Sequence, residues 1–441
     1  MQKLALKLKT LRLGDLAIRR NPLFYAWARH QLDSPDPRQL ARILWAARRT
    51  AYGRRLRGSD DIASWPLLDK ETVRADPAAF LAGAQFLTSK ASTGGTSGAP
   101  LPLVRSLRSV VLEQAAIDRM IETLGVRPGE ARVAVLRGDN VKDPTDFRPP
   151  YWKLVAGGRR MVMSSNHLNA ATVGTYAEAL RSFNPDLLWA YPTSLESLCA
   201  FLERAGVELS LPRVLTSSEV LHPHVWRNAE RVLGCRLVDY YGQAERVGFA
   251  WAAAPREYRF LPGYAHVELI PAGNGCYEIV GTALWNHAMP LVRYRTGDLV
   301  QLPSESAAMD VALGSRSFAG VLGRDTDILV SPDGVRLTGI DHFQRDIEHL
   351  VRIQVIQESA TEVRILVLPA ETFGDADEAQ LLVNARTKVP ASMHVTIERV
   401  ETLEKTALGK TPFVIHRPAV KALLAQGGVG RAPGPAEDRS P

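Results

Sequence analysis

Short apolar runs alternate along the middle of this chain with longer stretches of helical periodicity. Val133–Leu136 and Leu187–Ala190 are four residues each and carry no charge, which marks them as buried strands. Around them, residues 107–124, 170–183 and 194–205 repeat apolar positions at helical spacing and stop at Gly125, at Asn184-Pro185 and at Gly206. Strands and helices in succession build a sheet with helices laid on it, and loops at strand ends are where such folds bind ligands. Residues 1–60 also read as helices. From Glu257 to Val300 the rhythm changes to short strands turning at Pro262-Gly263 and Gly273-Asn274-Gly275, which predicts a β-rich part. Beyond Thr326 the pattern predicts a strand pair with Asp333-Gly334 in its turn, a helix over 340–351, strands over 353–357 and 363–368, a helix over 375–388 and a strand over 395–400. That is a small α+β domain, followed by a Gly- and Pro-rich tail over 426–441 whose composition predicts disorder.

A chain of 441 residues with 46% hydrophobic content can bury a large core and has room for two or three domains. Its net charge of +7 is uneven: residues 1–60 hold 14 Lys and Arg against 4 acidic residues, so the remainder is slightly acidic. A basic segment such as 3–20 could meet an acidic membrane surface, a carrier protein or phosphates, or could be the solvated face of packing helices. No nucleic-acid reading module accompanies it, so nucleic acid is not an expected partner. No apolar run reaches the length of a membrane span, and lysines interrupt any signal-peptide core, which predicts a cytoplasmic protein without a transmembrane segment. Cys199, Cys235 and Cys276 lie far apart and form no Cys-x-x-Cys pair, so buried free thiols are expected. His222 and His224 flank Pro223 without further ligands nearby and read as a loop turn.

Ser92, Thr93, Gly94, Gly95, Thr96, Ser97 and Gly98 form a loop of glycines and hydroxyls before Ala99-Pro100. Its backbone amides could wrap a polyphosphate, and a surface turn would share its composition. It is not a Walker A loop, because no Lys follows Gly98. Downstream come Tyr240-Tyr241-Gly242-Gln243-Ala244-Glu245, Arg293-Tyr294-Arg295-Thr296-Gly297-Asp298-Leu299, Gly323-Arg324-Asp325-Thr326-Asp327, Asp333-Gly334-Val335-Arg336 and Leu408-Gly409-Lys410. In this order the series resembles the adenylate-forming superfamily of acyl-CoA synthetases, luciferases and peptide-synthetase adenylation domains. Arg137-Gly138, Ser164-Ser165-Asn166-His167-Leu168 and Ala190-Tyr191-Pro192-Thr193-Ser194-Leu195 resemble its phenylacetate-CoA ligase and CapK-type branch.

The resemblance implies an α/β fold. A large multi-subdomain adenylate-forming N-terminal domain would span 1–325, β-rich over about 257–325, with a small mobile α+β C-terminal domain over 326–425. It also implies an enzyme, a ligase that uses ATP and Mg²⁺ to activate a carboxylic acid as its adenylate, releasing pyrophosphate, and then transfers the acyl group to coenzyme A. Transfer to a carrier-protein phosphopantetheine or an amine, and an inactive nucleotide-binding scaffold, are the alternatives. Residues 92–98 would hold the β- and γ-phosphates, and Glu245, a hard oxygen ligand or else an exposed partner of Arg246, would meet Mg²⁺. Tyr241 would lie beside adenine with Gly242 letting the backbone approach, and Asp298, expected on a surface loop after the Thr296-Gly297 turn, would accept both ribose hydroxyls. Arg324 and Arg336 would reach ribose and phosphate. Lys410 would bridge the acyl carboxylate and the α-phosphate, after which the C-terminal domain would rotate. Ala99, Thr326 and Ser218 depart from the Lys, the hinge Asp and the Gly of many relatives. The acyl pocket is expected near His167, Tyr191, Ser218 and Glu219, with His167 either orienting a ligand or satisfied within the core. Trp189 and Tyr191 suit an aromatic or apolar acid.

Overall fold

The computed structural model describes residues 19–426 except 84–86, 94–100, 138, 140, 144–145, 147, 274, 325–328, 333–335, 338–339, 345–346, 348 and 406–410. It divides into two compact units, the first ending at about residue 325 and the second carrying the remainder of the described chain.

The first unit opens with helices Pro22–Asp33, Gln39–Arg48 and Ala51–Arg55 and a hairpin, β1 (Thr88–Ser92) and β2 (Pro102–Ser106). Its centre is an eight-stranded sheet made of β3 (Val133–Leu136), β4 (Trp152–Val155), β5 (Arg160–Met163), β6 (Leu187–Ala190), β7 (Arg213–Ser217), β8 (Arg236–Gly242), β9 (Phe249–Ala252) and β10 (Arg259–Phe260). The order across it is β10-β9-β8-β7-β6-β3-β5-β4. The five inner strands β8, β7, β6, β3 and β5 run parallel, while β4, β9 and β10 pair antiparallel at the edges.

Register explains the two-sided burial. Val133 pairs with Leu187 and Val135 with Trp189, then Trp189 with Leu215 and Leu215 with Val238, so these residues share one face. That face packs under helix Leu107–Glu122 and helix Pro22–Asp33, in a core with Ile117, Met120 and Trp285. The alternate residues Ala134, Leu136, Leu188, Ala190, Val214 and Leu237 point the other way, against helices Val173–Phe183, Pro192–Arg204 and Pro223–Leu233. Only residues apolar at every position can satisfy both layers, which is why these runs lack the polar alternation of a one-faced sheet.

A four-stranded antiparallel sheet follows, β11 (His266–Gly273), β12 (Cys276–Thr282), β13 (Tyr294–Gln301) and β14 (Gly323–Arg324). Glycine is required at Gly281 of β12, where a Cβ would lie 1.9 Å from the Val247 carbonyl oxygen. That close approach seats the second sheet against the segment following β8.

The second unit begins with the pair β15 (Leu329–Val330) and β16 (Arg336–Leu337) and centres on a mixed sheet. In that sheet β17 (Leu350–Gln357), β18 (Glu362–Pro369), β19 (His394–Arg399) and β20 (Val414–His416) lie in the order β19-β18-β17-β20. Ile353, Val355, Val363, Ile365 and Val367 form its inner face, closed by Leu381 and Ala385 of helix Asp375–Arg386. The expected helix over 340–351 is instead a single 3-10 turn, Ile340–Gln344, and β17 starts at Leu350. The run Leu350, Ile353 and Val355 is drawn into the sheet by β18, a tertiary pairing that local periodicity does not register. β20 and helix Pro418–Gln426 carried no pattern long enough to read. The tail beyond 426 lies outside the described residues.

Candidate active site

The parallel strands end together, and their carboxyl ends carry most of the motifs. β3 leads into Arg137, β6 into Tyr191, β7 into Ser218 and Glu219, and β8 supplies Tyr241 and Gly242 before Glu245. Ligands in open α/β sheets bind beyond these ends.

Two elements are fastened to the end of β8. The β1–β2 hairpin is closed at its base by Thr93, whose N–H donates to the Leu101 carbonyl at 3.1 Å and whose hydroxyl accepts from the Leu101 N–H at 2.9 Å. Residues 94–100 between them lie outside the described residues. On β2, the Arg105 guanidinium donates twice to the Ala244 carbonyl, at 3.1 and 2.6 Å. Burial, reinforced by nearby Arg246, pulls Arg105 down to about 10. The base of the Gly-rich loop is therefore anchored one residue from Glu245.

β13 is the second element. Tyr294 and Asp298, four residues apart on it, reach Glu245 and Tyr241, four apart on the other chain segment. The Tyr294 hydroxyl donates to Glu245 Oε1 at 2.8 Å, and the Tyr241 hydroxyl donates to Asp298 Oδ2 at 2.7 Å. Glu245 is 8% exposed, and the ion pair available to Arg246 is with Glu113, so Glu245 is not an exposed partner of Arg246. Asp298 is 5% exposed and sits within a strand, where a surface loop was expected. Gly297 at φ 72° makes the turn that the motif predicted, but the strand pairs with β12 on one side and β14 on the other, and the carboxylate is buried with the Tyr241 hydroxyl on it. Burial, together with Asp298, pushes the Tyr241 hydroxyl well above its usual range. Arg293 and Arg295 of the same string pair with Glu268 and Glu278 and hold the sheet together.

Arg324 pairs through its backbone with Asp298 at the sheet edge. Arg336 lies on β16 in the second unit. Lys410 and Thr326 lie outside the described residues, but the flanks of the Lys410 stretch are held in the second unit by residues with no motif signal. Gln354 is fully buried and bonds Glu404 through both its carbonyl and its amide, at 2.9 and 3.0 Å, and the Pro412 carbonyl at 2.8 Å. Arg352 donates to the Thr411 carbonyl at 3.2 Å. A glutamine set between Ile353 and Val355 was the available sequence clue.

At the acyl-pocket residues, His167 is 0% exposed with Nδ1 on the Ser164 hydroxyl at 2.7 Å and Nε2 on the Asp143 carbonyl at 3.1 Å. Its ring stacks on Tyr151, so both nitrogens are engaged within the protein. Tyr191 precedes helix Pro192–Arg204, whose Thr193 N–H donates to Glu219 Oε2 at 3.0 Å. A carboxylate at a helix N-terminus meets both free N–H groups and the dipole. Ser218 has φ 74°, the left-handed region that suits glycine, and its hydroxyl accepts from Arg137 Nη2 at 3.0 Å. Arg137 is the group that links the ends of β3 and β7. His222 is the N-cap of helix Pro223–Leu233 and His224 lies in its first turn, stacked on it, where a loop was expected. Cys199 and Cys235 are buried free thiols, and Cys276 is partly exposed.

Among the described residues no three His, Cys, Asp or Glu side chains converge on one point, and no helix is long and apolar enough to cross a membrane.

Comparison with known proteins places these features beside family models, relatives and a solved structure. Residues 93–296 match the family model for AMP-binding enzymes, and residues 329–417 match that for the CapK C-terminal domain. The chain is 20% identical over 365 residues to Protein CapK of Staphylococcus aureus, covering 81% of this chain and 80% of that protein. It is 23% identical to a phenylacetate-coenzyme A ligase of Aromatoleum evansii, covering 86% and 93% respectively. A crystal structure of 2-hydroxyisobutyryl-CoA ligase in the postadenylation state superposes with a TM-score of 0.62 at 15% identity, over 88% of this chain and 90% of that one, which shows a shared fold.

Proposed function

Because the chain belongs to the adenylate-forming AMP-binding enzymes, in the branch of CapK and the phenylacetate-CoA ligases, and is a ligase, we propose the reaction that its site performs. A carboxylic acid attacks the α-phosphate of ATP, pyrophosphate leaves, and the acyl group passes from the acyl-adenylate to the thiol of coenzyme A. What supports this reading is the convergence at the end of β8: a hairpin base carrying the Gly-rich loop, anchored by Arg105, meets Glu245 and the Tyr241–Asp298 pair.

In this proposal residues 92–98 hold the β- and γ-phosphates, Tyr241 flanks adenine with Gly242 beside it, and Asp298 accepts the ribose hydroxyls. For Asp298 to do so, the Tyr241 hydroxyl must share or yield that carboxylate when nucleotide binds. Arg324, Arg336 and Lys410 supply positive charge to the ribose and phosphates.

The residues fit Mg²⁺. Glu245 Oε1 accepts from Tyr294, and Oε2 makes no hydrogen bond among the described residues. One carboxylate plus nucleotide phosphates and water is the donor set Mg²⁺ takes. When bound, Mg²⁺ would neutralise the leaving pyrophosphate. Tyr294 fixes the orientation of Glu245, and the buried setting keeps bulk water from competing for it.

The acid and the acceptor are tested separately. A panel of aryl, fatty and hydroxy acids with ATP and hydroxylamine should yield a hydroxamate from at least one acid, without any acceptor. Acid-dependent AMP release should then rise with coenzyme A more than with a phosphopantetheinylated carrier or an amine. No hydroxamate and no pyrophosphate exchange into ATP would leave the scaffold reading.

A further inference from the structure

Trp189 and Tyr191 read from sequence as a wall for an apolar acid, but in the fold their rings are covered by cations. The Arg137 guanidinium carbon lies 4.4 Å from the Trp189 ring centre and 5.2 Å from that of Tyr191, and Arg160 approaches Trp189 to 5.8 Å. These rings position a cation.

The same cluster holds two polar atoms that the protein leaves over. Arg137 uses Nη2 on the Ser218 hydroxyl, and its Nε is buried without a hydrogen-bond partner. Glu219 uses Oε2 to cap Thr193, and its Oε1 is likewise buried without a partner. One is a donor and the other an acceptor. Arg137 lies over the Tyr191 ring and bonds Ser218, held at φ 74°, and the next residue, Glu219, caps Thr193 two residues after Tyr191, which places both groups about one ring. Buried polar groups are normally satisfied, and unsatisfied or strained ones gather where a ligand completes the structure.

Resting on the acid-ligase reading above, we propose that the activated acid carries, beside Arg137 and Glu219, a neutral group that both accepts and donates a hydrogen bond: a hydroxyl or a carboxamide. The reasoning is by complement. A second carboxylate accepts from Arg137 but meets the Glu219 charge, and an ammonium donates to Glu219 but meets Arg137. An alkyl substituent satisfies neither atom. A hydroxyl oxygen accepts from Nε while its proton goes to Oε1, and a carboxamide does the same with its two ends. Sites built to bond such a group reject its absence far more strongly than apolar pockets discriminate by size.

The test uses the full-length protein and matched sets of phenylacetates, benzoates and short-chain acids that differ in one substituent: methyl, hydroxyl, carboxamide or carboxylate. The readout is kcat/KM for acid-dependent hydroxamate formation. In the scaffold best activated, the hydroxyl or carboxamide member should exceed the methyl member at least about tenfold. Glu219→Gln can keep the cap on Thr193 through its carbonyl while turning an amide donor towards the substrate. It should lower the hydroxyl-over-carboxylate ratio at least about tenfold. A ratio between two acids on one protein does not depend on the fraction folded. Methyl acids activated as well as their hydroxyl and carboxamide counterparts would overturn the inference and leave the ligase standing. Failure of every acid to give adenylate would overturn the ligase reading and this inference with it.

Discussion

Asp298 shows how one residue can serve fold and site together. Its carboxylate is buried and accepts the Tyr241 hydroxyl at 2.7 Å, so removing it strands a buried donor as well as a nucleotide contact. Asp298→Ala should therefore lose about 1–3 kcal/mol of stability, read from the urea midpoint. The apparent ATP requirement should rise at least about tenfold, equivalent to about 1.4 kcal/mol. Tyr241→Phe separates the two effects, because it releases the carboxylate without removing it: stability should fall while the ribose contact remains. An unchanged ATP titration in Asp298→Ala would take the residue out of the nucleotide site. The motif string announced this aspartate, but its burial could not be read there, because the hydroxyl that covers it comes from Tyr241, 57 residues away in the chain.

At the scale of an element, β8 carries a second buried acid. Asp239 accepts from the Thr216 hydroxyl at 2.6 Å and from the Tyr258 hydroxyl, and burial pushes it up to about 6 despite both bonds. Its ordinary value in an unfolded chain is about 3.9. Between these values the folded protein holds a proton that the unfolded chain has released, so this group's contribution to stability is full below about pH 4 and is lost as pH rises through about 6. The contribution is a few kcal/mol at about 1.4 kcal/mol per unit. Asp239→Asn removes this titration, so its unfolding free energy should decline less than the wild type's between pH 4 and 7 in matched urea titrations. Parallel slopes would mean that Asp239 ionises as easily folded as unfolded. The apolar runs of β3 and β6 identified the sheet, whereas an isolated Asp between Val238 and Tyr240 gives no local sign of being internal.

For the whole molecule, the chain must perform two half-reactions, and Lys410 is the residue proposed to serve only the first. Lys410→Ala should lower hydroxamate formation on the order of a hundredfold, as removal of one preorganised charge donor does. Thioester formation from a chemically made acyl-adenylate should be nearly spared, and equal loss in both would reassign Lys410 to folding or general binding. The sequence by itself determined the layered α/β sheet, the β-rich part after Glu257, the order of motifs and hence the family. Each of these rests on local information: periodicity, turn residues, and strings whose members are neighbours in the chain. Only the tertiary structure decided that Tyr294 orients Glu245, that Tyr241 holds Asp298, that Gln354 secures the flanks of the Lys410 stretch, and that Arg137 covers Trp189 and Tyr191. These pairings join residues about 50 positions apart, and burial and hydrogen-bond partnership at such separations are fixed by strand order and packing, which no local pattern encodes.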